Sequence, residues 1–117
     1  MHQLLTGLPP EVEAWVACPK DEPYWERFAA APITRGMLEI PHRKFGLSPL
    51  RRITKLIRRE KMVLVHSHGK GAGLYARLAA LLTGRPCLHT FHGVHVGEYG
   101  FIKKAVYVLY ERIMGLF

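Results

Sequence analysis

Short apolar segments alternate along the chain with longer segments in which apolar residues recur every three or four positions. The short segments indicate strands, and the longer ones have the period of amphipathic helices. Strands are predicted at residues 12–18, 37–40, 62–65 and 87–91, and helices at residues 2–8, 21–31, 48–61, 74–83 and 101–114. This alternation predicts an α/β domain with right-handed crossovers and a doubly wound parallel sheet, whose function lies at the carboxyl ends of the strands.

The predicted helix 48–61 has one apolar and one basic face. The apolar face, Leu50, Ile53, Leu56 and Ile57, is expected to pack on a sheet, and the basic face consists of Arg51, Arg52, Lys55, Arg58 and Arg59. Such a charged face is most often simply solvated. Docking on a membrane surface is the second interpretation, because each Lys or Arg near an anionic leaflet contributes about 1 kcal/mol of binding free energy. Nucleic-acid binding is the third, and it is disfavoured because aromatic residues are not interleaved with the basic ones.

The amino-acid composition is strongly basic. The 117 residues include 17 Lys and Arg against 9 Asp and Glu, and the resulting net charge of +8 attracts polyanions of any kind. No apolar run approaches the roughly 18 residues that span a bilayer, and the N-terminus lacks the order of a signal peptide, so we expect a cytoplasmic protein. Cys18 and Cys87 lie in predicted strands, which suits reduced thiols better than a disulfide.

A glycine-rich segment, Ser67–Gly73, follows the third predicted strand. Gly69, Lys70, Gly71 and Gly73 stand where a strand turns into a helix, and free N–H groups at such a turn attract anions. The segment is therefore a candidate site for an acceptor phosphate. The competing interpretation is purely structural: the glycines allow a tight turn and close packing of the helix.

Histidines are concentrated in the same part of the chain, at positions 66, 68, 89, 92 and 95. His66 and His68 are two residues apart on an extended chain, so their rings should project to the same side, with Ser67 opposite. Three imidazoles are able to bind zinc. Carboxylates are few nearby, with only Glu98 close in sequence, and a structural histidine is the commoner explanation for each ring. We therefore predict no metal.

Three motifs in the second half of the chain occur in a fixed order. They are HSH at 66–68, AGLYARLAALLTGRP at 72–86 and TFHG at 90–93, and an ER pair follows at 111–112. In this order, on a strand, a helix and a strand, they resemble the N-terminal domains of family 4 glycosyltransferases of the GT-B type. The resemblance covers nearly half of the chain, and before residue 60 only the layout of elements is similar.

The resemblance implies a Rossmann-like domain that binds the acceptor and faces a second domain holding a nucleotide sugar. In such enzymes His92 would hydrogen-bond the transferred sugar, and Gly93 would let the backbone approach the ligand. His66, His68 and the Gly69–Gly73 turn would complete the substrate site. The nucleotide sugar would be a co-substrate, with no cofactor or metal, and the acceptor a glycan or lipid, so the protein is expected in the cytoplasm, peripheral to the inner membrane face.

The chain opens on a short helical segment without a preceding strand and closes on a helix without a following one. We therefore expect residues 1–117 to be a partial GT-B N-terminal domain that lacks its first strand and the C-terminal nucleotide-sugar domain, and that is inactive alone. Two other functions stay open. One is a non-catalytic Rossmann-like module that binds anionic ligands, and the other is a GT-B sugar-nucleotide epimerase.

Overall fold

The structure, a computed structural model, describes residues 1–21, 23–42, 44–93, 97 and 99–116. Its elements are α1 (His2–Gly7), β1 (Ala14–Cys18), α2 (Tyr24–Ala29), β2 (Thr34–Glu39), α3 (Leu47–Arg59), β3 (Val65–His68), α4 (Gly69–Thr83), β4 (Cys87–Thr90) and α5 (Phe101–Met114). The predicted element order and α/β class are confirmed. Among the described residues the strands pair in parallel as two two-stranded sheets, β1 with β2 and β3 with β4. The chain divides into two compact units, Met1–Ile53 and Thr54–Phe117.

The first unit is built around the β1–β2 pair, which α2 connects. Its buried cluster consists of Leu5, Val16, Phe28 and Ala31. Gly36 on β2 lies against the indole of Trp15, where a Cβ would come within 2.4 Å of the ring. That close approach explains a glycine inside a strand, a position that otherwise weakens the strand.

The second unit contains the parallel pair β3–β4, which α4 connects. The register runs from Val65 opposite Cys87 to His68 opposite Thr90. At the start of the pairing, the Val65 N–H donates a hydrogen bond to the carbonyl of Pro86, the residue before β4, at 3.0 Å. This pairing fixes the two strand ends at the same edge, because parallel strands in register end together.

Strand β3 lies three residues later than the apolar run that predicted it. The strand was predicted at 62–65 and is found at Val65–His68. Val63 and Leu64 are 76% and 51% exposed. Ladder pairing with β4 begins only at Val65, so the HSH sequence itself is the strand.

Helix α4 begins directly after β3, at Gly69, and includes all of the turn predicted at residues 69–73. It ends at Gly84, whose φ of 64° is left-handed and therefore suits glycine. Small side chains form much of its buried surface, namely Ala76, Ala79 and Ala80 together with Tyr75. Its leucines are more exposed, with Leu82 at 53%.

Helix α3 buries three of the four residues of the predicted apolar face, since Leu50, Ile53 and Ile57 are at most 8% exposed, and the fourth, Leu56, is half-buried. Its basic side chains are exposed, as expected. Arg58 donates from Nη2 to the carbonyl of Leu82 at 2.8 Å, and Arg59 pairs with a neighbouring carboxylate. In the part of the chain that the structure describes, no helix is long and apolar enough to cross a membrane.

Polar and aromatic contacts attach helix α5 to helix α4. Arg77 of α4 is buried and donates from Nη1 to Oε2 of Glu111 at 2.7 Å. The Arg77 guanidinium also lies 5.9 Å from the Tyr110 ring centroid. The apolar residues at helical spacing along this helix are largely exposed, with Ile102 at 78% and Val106 at 62%.

The Arg77–Glu111 pair yields a stability prediction. In Glu111→Gln the Arg77 charge stays buried without its carboxylate partner, so the free energy of unfolding should fall by about 3 kcal/mol. The matched control is Glu13→Gln, which breaks the exposed pair with Arg35 and should leave stability nearly unchanged. Urea denaturation of the three proteins measures this, and equal effects of the two substitutions would contradict the assignment of Arg77–Glu111 as a structural pair.

Candidate active site

Side-chain alternation along β3 sorts its polar residues onto two faces. His66 and His68 lie on one face, where their ring centroids are 4.3 Å apart. Ser67 points to the opposite face and is buried, with 3% exposure. The predicted geometry of the HSH sequence is confirmed, and it follows from the two-residue period of a strand.

On the first face, each histidine of β3 contacts a residue at or after the end of β4. His66 Nε2 lies 2.8 Å from Thr90 Oγ1, and His68 Nδ1 lies 3.1 Å from His92 Nε2. The His68 and His92 rings meet edge to edge through these nitrogens, with their centroids 5.3 Å apart. The structure therefore brings His66, His68 and His92 together at one edge of the β3–β4 sheet. We call these three side chains the histidine cluster.

Two members of the histidine cluster, His66 and His68, are poor at holding positive charge. Burial lowers the pKa of His66, and burial together with the neighbouring His66 imidazole lowers the pKa of His68. Both rings are therefore neutral at physiological pH. A neutral imidazole offers one donor and one acceptor, which is the pairing that a sugar hydroxyl requires.

Gly93 follows His92 and has a φ of 116°. This is the left-handed region, which side chains with a Cβ rarely adopt. His92 and Gly93 are both exposed.

The opposite face of the strand pair is structural. Ser67 Oγ lies 2.8 Å from His89 Nδ1, and the His89 ring packs edge-on against Phe91. Gly73 of α4 contacts this ring so closely that a Cβ would come within 2.6 Å of His89 Cε1. Burial, and then the nearby Arg77 charge, lower the pKa of His89. The structure thus places Gly73, a predicted substrate-binding residue, in the packing of α4 on β4.

The other residues of the predicted anion site lie in the first turn of α4. Gly69 has a φ of 74°, and within the described part of the chain no side chain and no backbone outside the helix lies within 4 Å of the position that a Cβ would take at Gly69 or Gly71. Lys70 Nζ donates to Tyr99 Oη at 3.0 Å and lies 4.9 Å from the Tyr107 ring centroid. The hydrogen bond to Tyr99 raises the pKa of Lys70. Lys70 therefore already has polar and aromatic partners, and an anion would have to compete with them for the Lys70 ammonium group.

Metal binding finds no support among the described side chains, which contain no group of three or more ligand residues arranged around one ion position. His89 faces away from His66 and His68 because it lies on the other side of the strand pair. His95 and Glu98, the remaining candidates, lie outside the described residues. The absence of a metal stays a prediction.

Sequence reasoning missed Thr90, the partner of His66, and Arg77, the partner of Glu111. The parallel register would have found Thr90, since it stands opposite His68 on the same face as His66. For Arg77 the signal was weak, because an arginine in a helical motif normally indicates a solvated position.

Comparison with known families agrees with these motifs. The family model described as Glycosyltransferase Family 4 matches residues 1–115. The chain belongs to this glycosyltransferase family. Its fold is accordingly the Rossmann-like N-terminal half of a GT-B fold, and two motif residues of this family 4 domain, Arg77 and Glu111, have structural roles as the pair that joins α4 to α5.

One curated relative of this family 4 domain is the UDP-Gal:alpha-D-GlcNAc-diphosphoundecaprenol alpha-1,3-galactosyltransferase of Escherichia coli. The two are 48% identical over 40 residues, which cover 33% of this chain and 10% of the relative. The match thus spans a tenth of the relative's length. No solved structure matches the chain.

The contact between Gly73 and His89 yields a second prediction. Gly73→Ala must displace the His89 ring from its hydrogen bond with Ser67, so the free energy of unfolding should fall by about 1–3 kcal/mol. Gly71→Ala in the same helix has open space at its Cβ and should leave stability unchanged or raise it by up to about 1 kcal/mol. Thermal unfolding compares the two. Destabilisation by Gly71→Ala but not by Gly73→Ala would reject the packing role of Gly73.

Proposed function

We propose that this chain is the acceptor-side domain of a glycosyltransferase that transfers a hexose from a nucleotide sugar to a lipid-linked acceptor. Membership in family 4 supports sugar transfer. The galactosyltransferase relative, whose name specifies a UDP-sugar donor and a diphosphoundecaprenol acceptor, supports the two substrate classes. The donor would be held by a C-terminal nucleotide-sugar domain that works with this one.

The proposal rests chiefly on one observation, the contact of His68 with His92 at the edge where β3 and β4 end. That contact holds an exposed imidazole beside the left-handed Gly93, at the position where parallel α/β sheets bind ligands. His92 Nε2 is engaged with His68, so Nδ1 is the atom left to hydrogen-bond a hydroxyl of the transferred sugar. A hydrogen bond that strengthens as charge develops on the sugar lowers the barrier to transfer.

The other proposed substrate contacts follow from the same geometry. His66 and His68 each have one ring nitrogen engaged, by Thr90 and His92 respectively, which leaves one nitrogen on each ring for a ligand. The first-turn N–H groups at Gly69 and Gly71 are candidates for an acceptor phosphate, with Lys70 beside them. No cofactor is proposed, because the nucleotide sugar is itself the activated substrate.

The catalytic part of the proposal predicts the effect of His92→Gln. In the complete enzyme the substitution should lower the rate of hexose transfer about 100-fold, because it removes an imidazole that contacts the sugar in the transition state. Transfer from radiolabelled UDP-galactose to a GlcNAc-diphosphoprenol acceptor measures the rate. His2→Gln, at an exposed histidine of α1, is the control and should have wild-type activity.

Three experimental results would contradict the proposal. Unchanged transfer by His92→Gln would remove His92 from the site. A product that is an epimerised nucleotide sugar, with no labelled acceptor, would favour the epimerase. Binding of phosphate-rich ligands without any turnover would favour the non-catalytic module.

We further propose that the enzyme works in the cytoplasm at the inner membrane face, where a lipid-linked acceptor would lie. The basic face of α3 would dock on anionic lipid. Arg51, Arg52 and Lys55 are exposed, whereas Arg58 binds the Leu82 carbonyl and so contributes to folding as well. The first three should therefore dominate membrane binding.

This membrane role predicts that Arg51→Gln, Arg52→Gln and Lys55→Gln together weaken binding to phosphatidylglycerol vesicles roughly 100-fold, since each charge contributes about 1 kcal/mol. Vesicle sedimentation with the whole chain measures the effect. Vesicles of phosphatidylcholine alone should bind neither protein.

The control for net charge removes the same three positive charges elsewhere. It consists of Lys20→Gln, Lys103→Gln and Lys104→Gln, all at exposed positions off α3. If the control weakens binding as much as the α3 variant, membrane attraction is a property of total charge, and a specific docking face is rejected.

A further inference from the structure

The contact between His68 and His92 constrains protonation as well as position. Their facing atoms are two ring nitrogens, His68 Nδ1 and His92 Nε2, 3.1 Å apart. The rings are nearly parallel, with 22° between their planes. We propose that His68 is a positioning residue, which fixes the nitrogen of His92 that carries the proton and so determines what His92 presents to the sugar.

The reasoning follows from the chemistry of imidazole. A neutral ring carries one N–H and one lone pair, and the hydrogen bond made by one nitrogen decides the state of the other. Two neutral rings that meet through nitrogen need one donor and one acceptor, because two N–H groups, or two lone pairs, repel each other. When both rings are neutral, the state of His92 Nε2 is therefore opposite to that of His68 Nδ1, and the state of His92 Nδ1 follows from it.

His68 is well placed to act as the fixed member of the pair. It is the last residue of β3, where its backbone pairs in register with Thr90. Its ring packs on His66, which is itself held by Thr90 Oγ1 at 2.8 Å. His92 lies beyond the end of β4 and is exposed. The more restrained ring thus orients the less restrained one.

This inference rests on the proposed catalytic role of His92. If His92 Nδ1 contacts a sugar hydroxyl, the state of that nitrogen decides whether the hydroxyl donates or accepts the hydrogen bond, so a mixture of tautomers would give two modes of contact. His68 would keep His92 in a single tautomer. The nitrogen of His68 that does this, Nδ1, contacts His92 and not the sugar.

The direct test is nitrogen NMR of the histidine side chains in the ¹⁵N-labelled chain at neutral pH, without substrates. In the wild-type protein the two ring nitrogens of His92 should have well-separated shifts, as a single tautomer requires. His68→Phe keeps an aromatic ring but removes Nδ1, and should move the two shifts towards each other. His68→Asn places an amide near the former Nδ1 and should restore the separation.

Ser67→Ala is the matched control, because it removes the partner of His89 on the opposite face and leaves the His68–His92 contact in place. It should leave the His92 shifts unchanged. Averaged His92 shifts in the wild-type protein, or unchanged shifts in both His68 variants, would overturn the inference. If His68→Phe does not fold, His68→Leu replaces it, because leucine also lacks a nitrogen at the position of Nδ1.

Activity separates this inference from the proposed function. In the complete enzyme His68→Phe should lower kcat roughly tenfold, the size of one hydrogen bond, with the KM for donor unchanged and with recovery in His68→Asn. If His92→Gln abolishes transfer while His68→Phe changes neither spectrum nor kcat, only the positioning role fails. If His92→Gln transfers normally, the proposed function fails whatever the spectra show.

Discussion

The parallel pairing of β3 with β4 is the constraint on which the second unit depends. Because the two strands run in register and end together, each polar side chain near their ends has a defined partner on the neighbouring strand. One face gathers the histidine cluster with Thr90, and on the other face Ser67 is buried and His89 packs against α4. A single backbone arrangement thereby separates the residues available to a ligand from those that hold the helix.

Several features could be predicted from the sequence because they depend only on the regular spacing of residues along a helix or a strand. The apolar face of α3 recurs at helical spacing, and Leu50, Ile53 and Ile57 are buried as that spacing requires. The common direction of the His66 and His68 rings needs only the strand period. The meeting of His68 with His92 needed one further step, the rule that parallel strands end at one edge of a sheet.

Other features depend on contacts between distant residues, and no local pattern reveals them. The apolar residues Val63 and Leu64 predicted a strand, yet pairing with β4 starts only at Val65. Gly73 suggested a turn because glycine disfavours helices, but it lies inside α4, where packing against His89 outweighs propensity. The exposure of Ile102 likewise follows from the way α5 is attached, through Arg77 and Glu111, and not through its apolar side.

The alternation of β3 also limits how this segment can change in evolution. Replacing one side chain alters one contact. Inserting or deleting one residue inside His66–His68 would instead move the strand residues that follow to the opposite face of the sheet. An imidazole would then be driven against the helix where only a serine fits, and a hydroxyl would stand where the ligand is expected. The length of this short strand is therefore as constrained as the residue types that alternate along it.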